Sequence, residues 1–296
     1  MGNLRDVRLR MRAIQQTLQV TKAMNLISTA KLRKGRRMLE DAEPYFTRIQ
    51  KSMFDILSGA GKVESSFFRE LSPDKPQRTA IIAITSDKGL AGGYNANIFR
   101  LVNDLCTRVK NPILILIGTL GYRYFIHSPY TILENFSFRS QVPTVENAGE
   151  IAEYIVSQYL WGMFDEVHIV YTHMYSSVKL LPSERQMLPL NAKKIQEELS
   201  AAGNVKRVKL EFEFYPSKEA VFDSLVPMYI EGILYGSMVE SYASEQSARM
   251  SAMDEASKSA EEMLASLQIS YNRARQAGIT QEISEIAGGF AALADK

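Results

Sequence analysis

At 296 residues, with 46% apolar and 23% charged side chains, the chain has an ordinary soluble-protein composition, enough to bury a real core in one or two domains. Its formal net charge of +2 does not by itself call for a polyanionic partner. The lone cysteine, Cys106, excludes an internal disulfide or a cysteine-based zinc site and fits a reducing compartment.

From Asn3 to Lys34 there is neither glycine nor proline, and residues 3 to 57 read as helix. Leu4, Val7, Met11, Ile14 and Leu18 alternate by three and four, the seam of a coiled coil. That seam is expected to drift through Val20, Met24 and Ile27 and to meet Lys31 where an apolar residue is due, while Gly35 and Pro44 weaken or kink the later part. Four arginines in the first twelve residues, with no apolar core segment, do not read as a secretory signal. Residues 1–39 hold ten cations (Arg5, Arg8, Arg10, Arg12, Lys22, Lys31, Arg33, Lys34, Arg36 and Arg37) against Asp6 alone, a local charge of +9 that seeks acidic surroundings.

The period changes in the middle. Thr79 to Thr85, Pro112 to Ile117 and Val167 to Thr172 are short apolar runs typical of buried strands, and Asn97 to Val109 and Val145 to Leu160 read as helices between them. This alternation predicts a small parallel sheet with crossover helices. The most apolar run, Ile113 to Leu120, is far short of the ~20 residues that span a bilayer. Lys209 to Tyr215 alternates with period two like an edge strand, and Ser217 is placed to cap the next helix. From there a second long helix is expected, free of glycine and proline from Ser237 to Ala277 after Pro227, Gly232 and Gly236 bend its early turns. Its seam reads Met253, Ala256, Ala260, Met263, Leu267, Ser270, Ala274, Ala277, with small residues that let two helix axes approach closely. A helix from Ser217 to Ala294 would extend roughly 115 Å at ~1.5 Å per residue, a shape for reaching or transmitting. The division expected is therefore a shaft helix at 1–60, an α/β domain at 75–215 and a second shaft helix at 217–296.

Ser86 to Asn95 (Ser-Asp-Lys-Gly-Leu-Ala-Gly-Gly-Tyr-Asn) occupies the place of a phosphate loop, between a strand and a helix. Its spacing matches neither a Walker loop nor a dinucleotide loop, and Lys88 precedes the glycines instead of following them. The favoured reading is a structural turn built on Asp87, Gly89, Gly92, Gly93 and Asn95, with Asp87 and Asn95 satisfying backbone groups. His168 and His173 fall on opposite faces of one strand, and His127 lies apart, so no metal or general-base cluster is expected. Glu211 and Glu213 share a strand face, as charges on an exposed edge strand do. The basic cations spread around several faces of the first helix, and the segment lacks interleaved aromatics until Tyr45. That suits a helix surrounded by acidic protein better than one laid on DNA.

Three segments together resemble the γ subunit of F-type ATP synthases of bacterial type: Ile14…Thr21-Lys22-Ala23-Met24…Ala30-Lys31-Leu32; Ser244-Glu245-Gln246-Ser247-Ala248-Arg249-Met250-Ser251-Ala252-Met253; and Tyr271-Asn272-Arg273-Ala274-Arg275-Gln276-Ala277-Gly278-Ile279-Thr280-Gln281-Glu282-Ile283-Ser284-Glu285-Ile286 before Gly288-Gly289. The Ser86–Asn95 turn is similar to that family's central turn, and the resemblance runs along the whole chain in order. It implies an α/β class fold, with the N- and C-terminal helices in a long antiparallel coiled coil and a central Rossmann-like domain as a foot. It implies a non-catalytic rotor subunit at the cytoplasmic face of the cell membrane, with no cofactor of its own. Its partners would be the alpha and beta subunits of the ring, the epsilon subunit and the c-ring. Membrane contact would come only through those partners, with no nucleic acid involved. Matched by motif, Met24, Arg249, Arg275, Gln276, Thr280 and Glu282 would touch beta-subunit loops, and Arg8, Arg12, Lys22, Lys31, Arg33 and Arg36 would form a basic shaft face. Two departures stand out: Phe214-Tyr215-Pro216 puts Tyr215 where many members carry a carboxylate, and Lys258-Ser259-Ala260 stands where many read Asp-Asn-Ala. Two rival readings remain at this level, a basic helical nucleic-acid binder and an α/β nucleotide-binding enzyme.

Overall fold

The computed structural model describes residues 4–58, 63–69, 77–136, 142–176, 179–193, 195 and 214–294. The elements are α1 (Leu4–Ser58), a short 3-10 turn (Ser66–Phe68), β1 (Thr79–Ile84), α2 (Tyr94–Arg108), β2 (Pro112–Ile117), α3 (Thr119–Phe125), β3 (Thr131–Phe136), α4 (Val145–Leu160), β4 (Glu166–Met174), β5 (Leu180–Leu188) and α5 (Lys218–Ala294). The chain forms two compact units, residues 1–28 with 249–296 and residues 29–248, so the division falls inside both terminal helices. The expected strand at Lys209 to Tyr215, with Glu211 and Glu213, lies outside the described residues apart from Phe214 and Tyr215, and Tyr215 is 93% exposed.

In the unit of residues 29–248 five strands lie in the order β3-β2-β1-β4-β5. The first four are mutually parallel and β5 returns antiparallel on β4. This is the doubly wound order, with its reversal between β1 and β4. β1 is buried along its whole length and alternates between two cores. Ala80, Ile82 and Ile84 join α4, the later turns of α1 and the early turns of α5 around Met53, Phe222, Val226 and Ile230. Ile81 and Ala83 join α2 and α3 on the other face, around Ile98, Val102, Leu105 and Phe125. At ~1.5–3 kcal/mol for each large apolar side chain buried, these two faces supply the main stabilisation of the sheet. Cys106 belongs to the second core, where burial pushes its thiol up to about 11 and leaves it inert.

β3 and β5 carry weak sequence signals, and both are edge strands. Glu134 interrupts the apolar run of β3, and Pro182, which cannot donate to a ladder, sits within β5. Helix α1 passes through Pro44 and α5 through Pro227. Two glycines serve close approach between these helices: a Cβ on Gly35 would stand 3.1 Å from Tyr242 Cδ1, and one on Gly232 would overlap the Phe46 ring. Ser217 caps α5 by accepting from the Ala220 amide at 3.1 Å, as expected of its position.

Glu231, on α5, faces Gly149 of α4, whose Cβ would lie 3.6 Å from its Oε1, and burial raises its carboxyl above the usual range. The folded chain therefore holds this proton more tightly than the unfolded chain. The contribution is fully present below the unfolded value and is lost as pH rises through the folded one. Glu231→Gln, which cannot ionise, is expected to raise the thermal midpoint at neutral pH. The two midpoints should converge as pH falls through the ordinary carboxylate range, and thermal unfolding across pH checks this.

Candidate functional site

The unit of residues 1–28 and 249–296 is a pair of helical segments joined by side chains that fix their direction. Arg8 donates to the Tyr271 hydroxyl at 2.6 Å, Lys22 meets Glu261 at 2.7 Å, Ser257 Oγ lies 2.8 Å from Thr21 Oγ1, and Asn25 donates to the Met250 carbonyl at 3.1 Å. As the first number climbs from 8 to 25 its partner falls from 271 to 250, so the segments run antiparallel. The less exposed positions of α5 in this unit include Met253, Ser257, Ala260, Leu264, Leu267, Tyr271, Ala274 and Gly278, a four-three alternation, with Ala252 and Ala256 half-buried beside it. Of the expected seam, Met253, Ala260, Leu267 and Ala274 lie on it and Ala256 is half-buried, whereas Met263 is 56% exposed and Ser270 and Ala277 are also exposed, their places being taken by Leu264, Tyr271 and Gly278. On α1 the seam holds its heptad through Leu18, Thr21, Asn25 and Ser28 and does not drift, which leaves Val20 at 56% and Ile27 at 55% exposure. The expectation failed because Thr21 and Ser28 are polar, yet they are 6% and 1% exposed within the pair.

The basic residues stand outside this seam. Arg8, Arg12, Lys22, Arg33 and Arg36 are exposed and Lys31 is half-buried. Among the residues matched to partner contact, Arg275, Gln276, Thr280 and Glu282 are exposed and Met24 is half-buried. Arg249 differs, being only 7% exposed and engaged within the chain. Beside the exposed polar residues, Leu26 at 71%, Ile27 at 55%, Ile283 at 60% and Ile286 at 62% leave apolar surface in solvent on both segments. Exposed apolar side chains set among charges suit a surface that another protein covers.

In the unit of residues 29–248, the Ser86–Asn95 turn satisfies itself. The Ser86 amide donates to Asn95 Oδ1 at 3.1 Å, Asn95 Nδ2 donates to Ser86 Oγ at 2.7 Å, and Asp87 Oδ1 accepts from both the amide and the hydroxyl of Thr119 at 2.9 Å. Gly92 takes a left-handed φ of 54° that favours glycine, and so does Leu90 at 62° without that freedom. Gly89 and Gly93 have positions that a Cβ would fit without overlap. A cavity of about 170 Å³ opens beside α2, lined by Gly93, Tyr94, Asn97, Thr172, Pro182 and Ala248, with no cation to hold a phosphate. Among the described residues no group of three or more His, Cys, Asp or Glu side chains is placed to hold a metal ion. No helix among them is long and apolar enough to cross a membrane.

Sequence reasoning did not single out Tyr271, whose ring also lies 5.5 Å below the Arg8 guanidinium. Nor did it find the contact of His173 Nδ1 with Glu240 at 2.7 Å, or the pairing of His168 Nδ1 with Glu184 at 3.1 Å. The spacing of strand and helix partners in the sequence carries no local signal for any of these.

The family model described as ATP synthase matches residues 3–293. The chain is 41% identical over 296 residues to the ATP synthase gamma chain of Acetivibrio thermocellus, covering 99% of this chain and 100% of that one. It is 44% identical over 293 residues to the ATP synthase gamma chain of Ruminiclostridium cellulolyticum, covering 99% of each. Its fold is similar to a chain in a structure of the Euglena gracilis mitochondrial ATP synthase comprising OSCP, F1 and c-ring, with a TM-score of 0.68 and 16% identity over 99% of this chain and 95% of that one.

The Arg8–Tyr271 contact combines a hydrogen bond with a cation over a ring. A double-mutant cycle with Arg8→Ala and Tyr271→Phe or Ala, read by thermal unfolding, is expected to return a coupling of about 0.5–1 kcal/mol that weakens only modestly with salt.

Proposed function

The chain belongs to the ATP synthase gamma-chain family, and from that premise we propose how its surfaces meet the rest of the complex. It is a central-stalk subunit, coupling ion flow through the membrane ring to the conformational cycle that makes or hydrolyses ATP, and it is non-catalytic, the catalytic sites lying on beta. Our reading places the paired segments 1–28 and 249–294 inside the ring of alpha and beta subunits. The residues around β1 to β5 then face the epsilon subunit and the c-ring at the cytoplasmic side of the membrane, with membrane contact only through those partners.

One observation carries this reading: the paired segments leave both apolar side chains, Leu26 and Ile286 among them, and a basic surface uncovered. Such a mixture would be a liability on a free chain and is apt for one enclosed by protein. Met24, Arg275, Gln276, Thr280 and Glu282 are the proposed contacts with beta-subunit loops. Arg249, being buried, is better suited to holding its own helix. Arg8, Arg12, Lys22, Lys31, Arg33 and Arg36 supply a field that favours acidic loops and steers their approach. A stalk acts on a catalytic subunit only through contacts that differ between its angular positions.

Reconstitution with the alpha and beta subunits of its source tests the proposal. The expected result is a complex holding one copy of this chain with ATP hydrolysis restored, and failure of a folded chain to associate would overturn it. Replacing Arg275 and Gln276 together with alanine is expected to lower turnover about fivefold, the equivalent of about 1 kcal/mol, with assembly intact.

A further inference from the structure

The doubly wound sheet has its crevice at the carboxyl ends of β1 and β4, where the strand order reverses and where such folds ordinarily take a ligand. Here the chain's own helix α5 occupies that place. The β1–β4 register ends at Ala83 opposite Val170, so Thr172 projects beyond β1. Its neighbour in β5 is Pro182, which has no N–H to offer. Both main-chain groups of Thr172 are instead met from α5: its amide donates to Ser241 Oγ at 3.1 Å, and its carbonyl accepts from Ser244 Oγ at 3.2 Å. The adjoining residue adds a side-chain contact to the same helix, His173 Nδ1 lying 2.7 Å from Glu240 Oε1 without hydrogen-bonding geometry. Ser241 is 1% exposed, Ser244 0% and Thr172 4%.

Serines three residues apart share one helix face, so two hydroxyls replace the backbone donor and acceptor of a missing strand. Elsewhere in this unit α5 packs mainly through apolar residues, Phe222, Val226, Ile230, Ile233 and Leu234 among them, and its Asp223 accepts from Ser65 beside the 3-10 turn and not from the sheet. Apolar packing is non-directional, whereas hydrogen bonds to a strand backbone are directional and fix the rotation of the helix about its own axis relative to the sheet. We propose that Ser241 and Ser244, seconded by Glu240, are positioning residues that form the torque joint between the sheet and helix α5. This rests on the central-stalk reading. Rotation entering at the sheet must pass into α5, and the joint at Thr172 converts sheet movement into helix rotation without slip.

The test uses the whole complex in vesicles, measuring ATP hydrolysis and ATP-driven ion uptake on the same preparation, uptake being followed both as acidification and as sodium accumulation. The wild-type complex must hydrolyse and pump; if it does neither, the central-stalk reading fails and not the joint. With Ser241→Ala and Ser244→Ala together, hydrolysis is expected to stay at its wild-type rate while uptake per ATP falls about threefold or more. Phe222→Leu loosens the same helix without touching a hydrogen bond and is expected to keep the wild-type ratio. An unchanged ratio in the serine variant, or an equal fall in the Phe222 variant, would overturn the joint. Should the double variant not assemble, each single alanine variant carries the same reading, and wild-type coupling in both would overturn it equally.

Discussion

A helix without a partner is marginal in water, and the described residues of the unit formed by 1–28 and 249–296 are all helical. Its order therefore depends on one constraint, that the stripe Leu4, Val7, Met11, Ile14, Leu18 must meet the stripe Met253, Ala260, Leu264, Leu267, Ala274 with the segments antiparallel. On the second stripe Ala260 and Ala274, with Ser257 and Gly278 on the same face, are small, so the seam buries less apolar area there and gains its closeness from short side chains. Apolar contact of that kind would tolerate a shift of one heptad. The hydroxyl contact of Thr21 with Ser257 and the bond from Asn25 to the Met250 carbonyl would be broken by such a shift, and they specify the alignment. The polar residues cost some apolar burial, and they give the pair a unique register.

A thin seam also determines what remains outside it. Two helices in contact along one stripe each leave most of their circumference open, and in this chain that surface carries cations and isolated Leu and Ile side chains together. The charges repel one another within the free chain and gain when acidic protein surrounds them. Membership of the gamma-chain family gives the reason such a surface is tolerated: the segment works as part of a larger complex, so neither its solubility nor its stability is set by the chain alone.

Regular features were legible in the sequence and compensated ones were not. β1, β2 and α4 could be read almost to the residue, because an uninterrupted apolar run or a clean helical period needs no outside information. β5 was invisible because Pro182 argues against a strand, and its edge position makes that proline harmless, while its neighbour Thr172 has its amide accepted by Ser241 and its carbonyl met by the Ser244 hydroxyl of α5. Half of the shaft seam, Met253, Ala260, Leu267 and Ala274, was read correctly, and the alternate positions were set one residue early, Met263 standing for the less exposed Leu264. Of the matched site residues, Arg249 was expected at a partner surface and is buried, a distinction that residue type cannot make. The Ser86–Asn95 turn was legible as chemistry: its spacing spoke against a phosphate loop, and its hydrogen bonds are spent on its own chain.

That turn and the Thr172 contact have a common logic. A doubly wound sheet presents unpaired backbone groups and a helix N-terminus at its strand reversal, and nucleotide-binding proteins leave those groups for phosphate. Here Ser86, Asp87 and Asn95 satisfy the loop after β1, and Ser241 and Ser244 satisfy the end of β4. These side chains are used within the chain, to fasten one element to another. The neighbouring cavity agrees, since no lysine or arginine lines it to balance the charge of a phosphate. On the torque-joint reading, the end of β4 at this strand reversal serves to fasten helix α5 to the sheet through the hydroxyls of Ser241 and Ser244, with the order of the strands unchanged.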